Sequence, residues 1–366
     1  MLGVLPAIAL RDPGQSAAYL SSFCITSILA MGLFGAFWGE VTGRLQRLGG
    51  STRATFLLQA SSSFLSVAVG VVFLTHSATA SFSLLASTAN DAKAHAMSVM
   101  AATSAADKYM QAWGARAWIT DPAEMPPPPT TVRDMFLVHT AMQNHPLAES
   151  AFGGLAGWKL GAVGVVPGEP ALSGPLFRQF VVDAPAGVVS AAAINMHTLE
   201  AEVGFELERD LGPKADGTQY STDEVWEAVG TIMPIIELCG RRSSAECIAA
   251  QPVLGVLADA LMAGGVVMGT RHAKDTVDRA ALKSYSTSLL VNGMEVAAGS
   301  TSKCPEGGPI ESLTWSANHL LSRGQALKKG QVVITGATCI SKEFKVGDTV
   351  TASLGALGSV AYTIAP

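Results

Sequence analysis

Lysine is missing from the first quarter of this 366-residue chain. None occurs before Lys93, and the only charges ahead of Asp91 are Arg11, Asp12, Glu40, Arg44, Arg47 and Arg53. Charged residues make up 14% of the whole and the mean hydropathy is +0.34, so the apolar excess is concentrated in that first stretch. No basic block occurs and the net charge is −5, which argues against nucleic acid as a partner. Cysteine is sparse: Cys24, Cys239, Cys247, Cys304 and Cys339 are odd in number and form no C-x-x-C pair. That pattern signals neither a disulfide framework nor a zinc site, and reads as single thiols in a reducing compartment. A G-x-G-x-x-G fingerprint is also lacking, so nothing points to a doubly wound dinucleotide-binding sheet.

What the first stretch does contain is two uncharged apolar runs, residues 18–38 and 56–74, each about long enough to span a bilayer. Arg44, Arg47 and Arg53 lie between them. If both runs span, the arginine loop faces the cytoplasmic or matrix-like side. Three readings stand: a helical hairpin anchor, a multi-part targeting sequence (acid-poor, serine-rich, arginine without lysine), or translated sequence outside the working protein. Residues 1–87 are therefore set apart as a targeting or membrane-anchor region. They would place the protein in an organelle or on a membrane, with a cytoplasmic location otherwise.

From Asp91 the composition is that of an ordinary globular domain. An Ala/Met-rich helical pattern runs to about Trp113. The Pro126–Pro129 run breaks it as an extended connector. A second helical pattern resumes at Thr131, with Val132, Met135, Phe136, His139 and Met142 on one side. His139 and His145 have no ligand spacing and read as surface or core residues. Residues 88–150 thus form a helical subdomain ahead of a glycine-rich half, 151–366, of short strands and turns. In that half, Asn292-Gly293 marks a hairpin. Ile310 to Arg323 reads as a helix ended by Gly324. Val332 to Gly336, Phe344 to Leu354 and Gly358 to Ile364 read as strands.

One strand pattern carries chemistry. In Leu199–Leu207, the apolar Leu199, Ala201, Val203, Phe205 and Leu207 alternate with Glu200, Glu202, Gly204 and Glu206. Glu200 and Glu202 would stand roughly 6.6 Å apart on one face, a separation at which two carboxylates can converge on a hard divalent cation. The same pattern also fits a half-buried strand with a solvated acidic face. Glu237 interrupts the apolar run Ile232–Leu238 and needs a partner or a metal if buried. Lys159, in the glycine-flanked Gly157–Ala162, is either snorkelling at an edge or held in a pocket.

The order of motifs resembles the fumarylacetoacetate hydrolase superfamily, in its 2-oxopent-4-enoate (vinylpyruvate) hydratase and 4-oxalocrotonate decarboxylase branch. The matching pieces are GWKLGA from Gly157, LEAEVGFELERDL from Leu199, IMPIIEL from Ile232, AGGVVMG from Ala263 and VNGMEVAAGS from Val291. They continue with the stretch Gly308–Gly336 and KVGDTVTASLGALGSV from Lys345. The resemblance implies an α+β fold: a mixed, curved β-sheet roll with a helical N-terminal subdomain, in a homo-oligomer. It implies Mg²⁺ or Mn²⁺ held by Glu200, Glu202 and Glu237. Lys159 would be the catalytic residue, shuttling a proton through a lowered pKa or stabilising an enolate. Thr335 and Thr338 would lie near the substrate. The implied activity is hydration of a short 2-hydroxydienoate or 2-oxo-enoate through a metal-stabilised enolate. Decarboxylation, tautomerisation and C–C hydrolysis share that enolate, and a non-catalytic membrane-tethered relative is the reading from another class. The chain departs from the pattern at three places. Glu169-Pro170-Ala171-Leu172-Ser173-Gly174 lacks the acid expected after the lysine motif, Glu237-Leu238-Cys239-Gly240-Arg241-Arg242 lacks the aspartate expected after the third ligand, and Ala260–Ala263 replaces Asn/Ser residues.

Overall fold

Short apolar runs broken by turns organise the second half into thirteen strands. In the computed structural model, which describes residues 39–41, 43, 44 and 99–366, these are β1 (Leu155–Gly161), β2 (Leu172–Phe177), β3 (Val181–Asp183), β4 (Thr198–Leu207), β5 (Val229–Cys239), β6 (Gly265–Met268) and β7 (His272–Ala273). Then follow β8 (Ser286–Val291), β9 (Met294–Ser300), β10 (Val332–Ile334), β11 (Cys339–Ser341), β12 (Thr349–Leu354) and β13 (Ser359–Thr363). A nine-stranded sheet runs β2-β1-β10-β4-β5-β6-β3, with β11 beside β4 and β7 beside β5; a four-stranded sheet runs β13-β12-β8-β9. Only β1–β10 and β3–β6 pair in parallel, so the large sheet is mixed. β12 packs on β4 and β5, which brings the two sheets together around a shared core. This is the expected α+β arrangement.

Three helices matter to the site's surroundings. α1 covers residues 99–115, α2 is Val132–Gln143 and α3 is Pro309–Ser322. The Thr131 side chain caps α2 by accepting from the Asp134 N–H at 3.1 Å. α3 starts on a proline and is followed by Gly324 in the left-handed region, as its sequence predicts. Residues 99–366 belong to one compact unit. The apolar runs 18–38 and 56–74 lie outside the described residues. Among the described residues no helix is long and apolar enough to cross a membrane.

Two local expectations meet different outcomes. The Asn292-Gly293 hairpin forms between β8 and β9, with both residues at positive φ. The strand expected from Phe344 begins only at Thr349. Lys345 to Asp348 instead closes a turn: the Asp348 carboxylate accepts from the Lys345 N–H at 2.8 Å, and Gly347 sits at φ 91°.

β1 approaches β10 closely. A Cβ on Gly157 would lie 1.8 Å from the Val332 carbonyl oxygen, so only glycine lets the two strands pair. That pairing seats Lys159, two residues on, opposite Ile334.

Candidate metal centre

The β4–β5 ladder sets the site. Its register pairs Glu200 with Glu237, Glu202 with Ile235, and Thr198 with Cys239. With side chains alternating across each strand, Glu200, Glu202, Glu237 and Cys239 share one face. Donor atoms of Glu200, Glu237 and Cys239 lie within 4.8 Å of one another. Glu202 is outside that trio, yet it interacts with both Glu200 and Glu237. The acidic face is not solvated: Glu202 and Glu237 are fully buried and Glu200 is half-buried.

Lys159 completes the cluster from β1. It is buried, and its Nζ donates to Glu237 Oε1 at 2.5 Å. Of the two sequence readings, the pocket is the correct one. The expected lowered pKa is not found. Burial alone would lower it, but Glu237, Cys239, Glu200 and Glu202 together outweigh burial and hold the ammonium above its ordinary value. In the metal-free cluster Lys159 is therefore held as a cation.

The carboxylates respond in the opposite sense to an ordinary surface acid. Burial, then Glu237 and Glu200, push Glu202 well above the usual carboxylate range. Burial raises Glu237 to about 7, with Lys159 pulling down and Glu200 pushing up. Burial and the same acids hold the Cys239 thiol up. This is the signature of carboxylates crowded together with too little positive charge.

A turn after β10 grips Glu202. The Gly336 N–H donates to Glu202 Oε2 at 2.8 Å. Gly336 has φ 99°, and a Cβ there would meet Pro305 Cδ at 2.7 Å, so a side chain is excluded on both counts. Thr335 and Thr338 flank this turn and are buried. Their hydroxyls donate to the β4 carbonyls of Val203 (3.0 Å) and Ala201 (2.7 Å). Both threonines thus lie under the site, with their hydroxyl protons committed to the strand that carries the acids.

The departures from the family pattern have structural counterparts. At Gly240 a Cβ would lie 2.3 Å from the Ile194 carbonyl oxygen, so no aspartate fits there. Ala260, Leu261 and Met262 are three successive left-handed residues, a costly conformation for side chains with a Cβ. The strain is held in part by Gly240, whose N–H donates to the Met262 carbonyl at 3.0 Å. Leu261 is buried, and a Cβ on Gly161 would touch both Leu261 Cδ2 (3.6 Å) and Lys159 Cε (3.9 Å). An apolar side chain therefore stands near Lys159 where polar groups were expected. Cys239 is the site residue that the sequence reading passed over. Its position two residues after Glu237 on a strand was the available signal.

The donor set fits a divalent cation. Glu202 Oε1 and Glu237 Oε2 are buried and accept from no donor of another residue; the two carboxyls hydrogen-bond to each other only while one of them keeps its proton. Buried carboxylate oxygens are rarely left so, because desolvation without a partner is costly. Fully ionised, the three carboxylates would leave two negative charges after Lys159 is counted.

Comparison with known proteins agrees with this architecture. The family model for the fumarylacetoacetate (FAA) hydrolase C-terminal domain matches residues 169–365, leaving β1 and Lys159 just ahead of it. The 2-keto-4-pentenoate hydratase of Paraburkholderia xenovorans (strain LB400) is 28% identical over 176 residues, 48% of this chain and 61% of that protein. The chain thus spans about three-fifths of that relative's length. The 2-keto-4-pentenoate hydratase 1 of Dechloromonas aromatica (strain RCB) is 25% identical over 216 residues, 58% of this chain and 78% of that protein. Among solved structures, the 4-oxalocrotonate decarboxylase from Pseudomonas putida G7, complexed with magnesium and adipate, superposes with a TM-score of 0.59 at 22% identity. It covers 72% of this chain and 97% of its own. With more than half its length matched by the family model, its curved mixed sheet and its acid cluster in place, the chain belongs to the fumarylacetoacetate hydrolase C-terminal family.

Proposed function

We propose that this protein is a divalent-cation-dependent lyase that hydrates a short 2-hydroxydienoate or 2-oxo-enoate. The observation that carries the reading is the cluster of half-buried Glu200 with buried Glu202, Glu237 and Lys159, in which two carboxylate oxygens have no donor from any other residue. Glu200, Glu202 and Glu237 would hold Mg²⁺ or Mn²⁺, and the cation would supply Lewis-acid polarisation of a 2-oxo-carboxylate.

The chain's own residues supply the rest. Lys159 keeps its proton on Nζ and offers a fixed positive charge to negative charge developing on the substrate. Glu237 Oε1 orients that ammonium. The Gly336 N–H fixes the Glu202 carboxylate, and Thr335 and Thr338 anchor the turn that carries it. The buried Leu261, near Lys159 across Gly161, would suit a short unsaturated tail better than a second carboxylate if the tail reaches it. Relatives named 2-keto-4-pentenoate hydratase support hydration over decarboxylation. A homo-oligomer belongs to the same proposal.

The full chain should gain thermal stability with millimolar Mg²⁺ or Mn²⁺, and Glu202→Gln should lose that gain. With the cation, absorbance of 2-hydroxypenta-2,4-dienoate should decay, while oxaloacetate and a 2-oxo-enedioate persist. Absence of any cation effect sinks the metal reading. Cation binding with no turnover of any of the three would point to a non-catalytic relative.

A further inference from the structure

We propose that Cys239 contributes a sulfur donor to this centre, so that the site selects a thiophilic divalent ion such as Co²⁺, Zn²⁺ or Fe²⁺ over Mg²⁺. The inference rests on the cation reading above and extends it to the identity of the ion.

Register supports it first. Glu200 and Glu237 face each other across β4 and β5. Glu202 flanks that pair on one side, and Cys239, opposite Thr198, flanks it on the other. The Cys239 sulfur and the Glu200 and Glu237 oxygens meet within 4.8 Å, close enough for one ion to bridge all three after small side-chain movements.

Satisfaction supports it independently. Four cysteines lie among the described residues, all buried and free. Cys247 donates to the Ile119 carbonyl at 3.4 Å, Cys304 to the Gly336 carbonyl at 3.6 Å, and Cys339 accepts from Thr287 at 3.9 Å. Among the described residues, Cys239 alone of the four has a sulfur with no hydrogen-bond partner. Two oxygen donors and one sulfur form a mixed set once the Cys239 thiol, which burial and the neighbouring acids hold protonated, releases its proton to solvent as the ion binds. A hard ion such as Mg²⁺ gains little from sulfur, whereas later first-row ions gain from it in the order of their thiolate affinity.

The test is spectroscopic as well as thermodynamic. Co²⁺ added to the metal-free full chain should produce a thiolate-to-cobalt charge-transfer band in the near ultraviolet. Cys239→Ser should abolish the band and weaken Co²⁺ binding about 10- to 100-fold, with Mg²⁺ binding nearly unchanged. Cys304→Ser, which alters another buried thiol, should keep the band. Cys239→Ala serves as a second removal, and thermal melting without metal checks that each variant is folded. Co²⁺ binding without the band, or a band that survives Cys239→Ser, overturns the sulfur donor and leaves the carboxylate site standing. Failure of every divalent ion to bind overturns the cation reading itself, and the sulfur donor with it.

Discussion

Two buried cation–carboxylate pairs each have one member on or just beyond β5, and they differ in what they leave over. Arg242 and Asp259 are both buried. Asp259 accepts from the Arg242 N–H at 2.7 Å and from its Nε. The remaining guanidinium nitrogens donate to the carbonyls of Ala263 (2.6 Å) and Asp259 (2.9 Å), and the guanidinium lies 4.1 Å over the Trp113 ring of α1. Neither residue leaves a buried polar side-chain atom unpartnered. Lys159 and Glu237 are also buried, yet Glu237 Oε2 and the neighbouring Glu202 Oε1 have no partner beyond each other. Burial with every donor and acceptor used ties α1 to the sheet. Burial with acceptors to spare makes a place for something else to bind.

The comparison can be broken most forcefully at the satisfied pair. Asp259→Ala strands a buried guanidinium and should lower stability by about 3–5 kcal/mol, measured by urea unfolding. The cation-induced gain in stability should persist in the folded variant. A loss below about 1 kcal/mol would mean that this pair is not structural in the sense argued.

pH separates the two pairs next. The folded protein holds the Glu237 proton up to about 7, whereas an ordinary glutamate releases it near 4.5. Between those values the folded state binds more protons than the unfolded state, so metal-free stability falls as pH rises. The slope should be about 1.4 kcal/mol per pH unit for each retained proton. Cation affinity should run the opposite way and strengthen through the same window, because binding displaces the proton. Denaturation and calorimetric titration at several pH values check both signs, and a stability that rises across the window would refute the crowding of acids.

The smallest effect sharpens the role of the turn. Thr335→Val removes one hydroxyl bond to β4 and should lower stability by about 0.5–1.5 kcal/mol, with a modest fall in cation affinity. Thr335→Ser should keep both. Loss of substrate binding without any change in cation affinity would assign Thr335 to the substrate instead.

Much of this was legible from residue order. The alternation around Glu200 and Glu202 forecast β4, Asn292-Gly293 forecast the β8–β9 hairpin, and Gly324 marked the end of α3. Lys159 and Glu237 were legible as acids or cations out of place in apolar runs. The lysine's charge state was not, because it depends on how many carboxylates the fold gathers around it. Nor was Cys239, since its chemistry comes from the strand opposite. The meaning of Gly240 and of Ala260–Met262 also needed the fold: the backbone packs too closely at one, and the other is a left-handed segment.

The amino-acid sequence by itself determined which side chains share a face, because alternation along a strand is a local property of the backbone. Only the tertiary structure decided that Glu200 stands opposite Glu237, that the acidic face is buried, and that Lys159 arrives there from β1. Register and burial depend on partners supplied by distant parts of the chain. Those partners turn an alternating acidic strand into a crowded, undercompensated cluster with room for a cation.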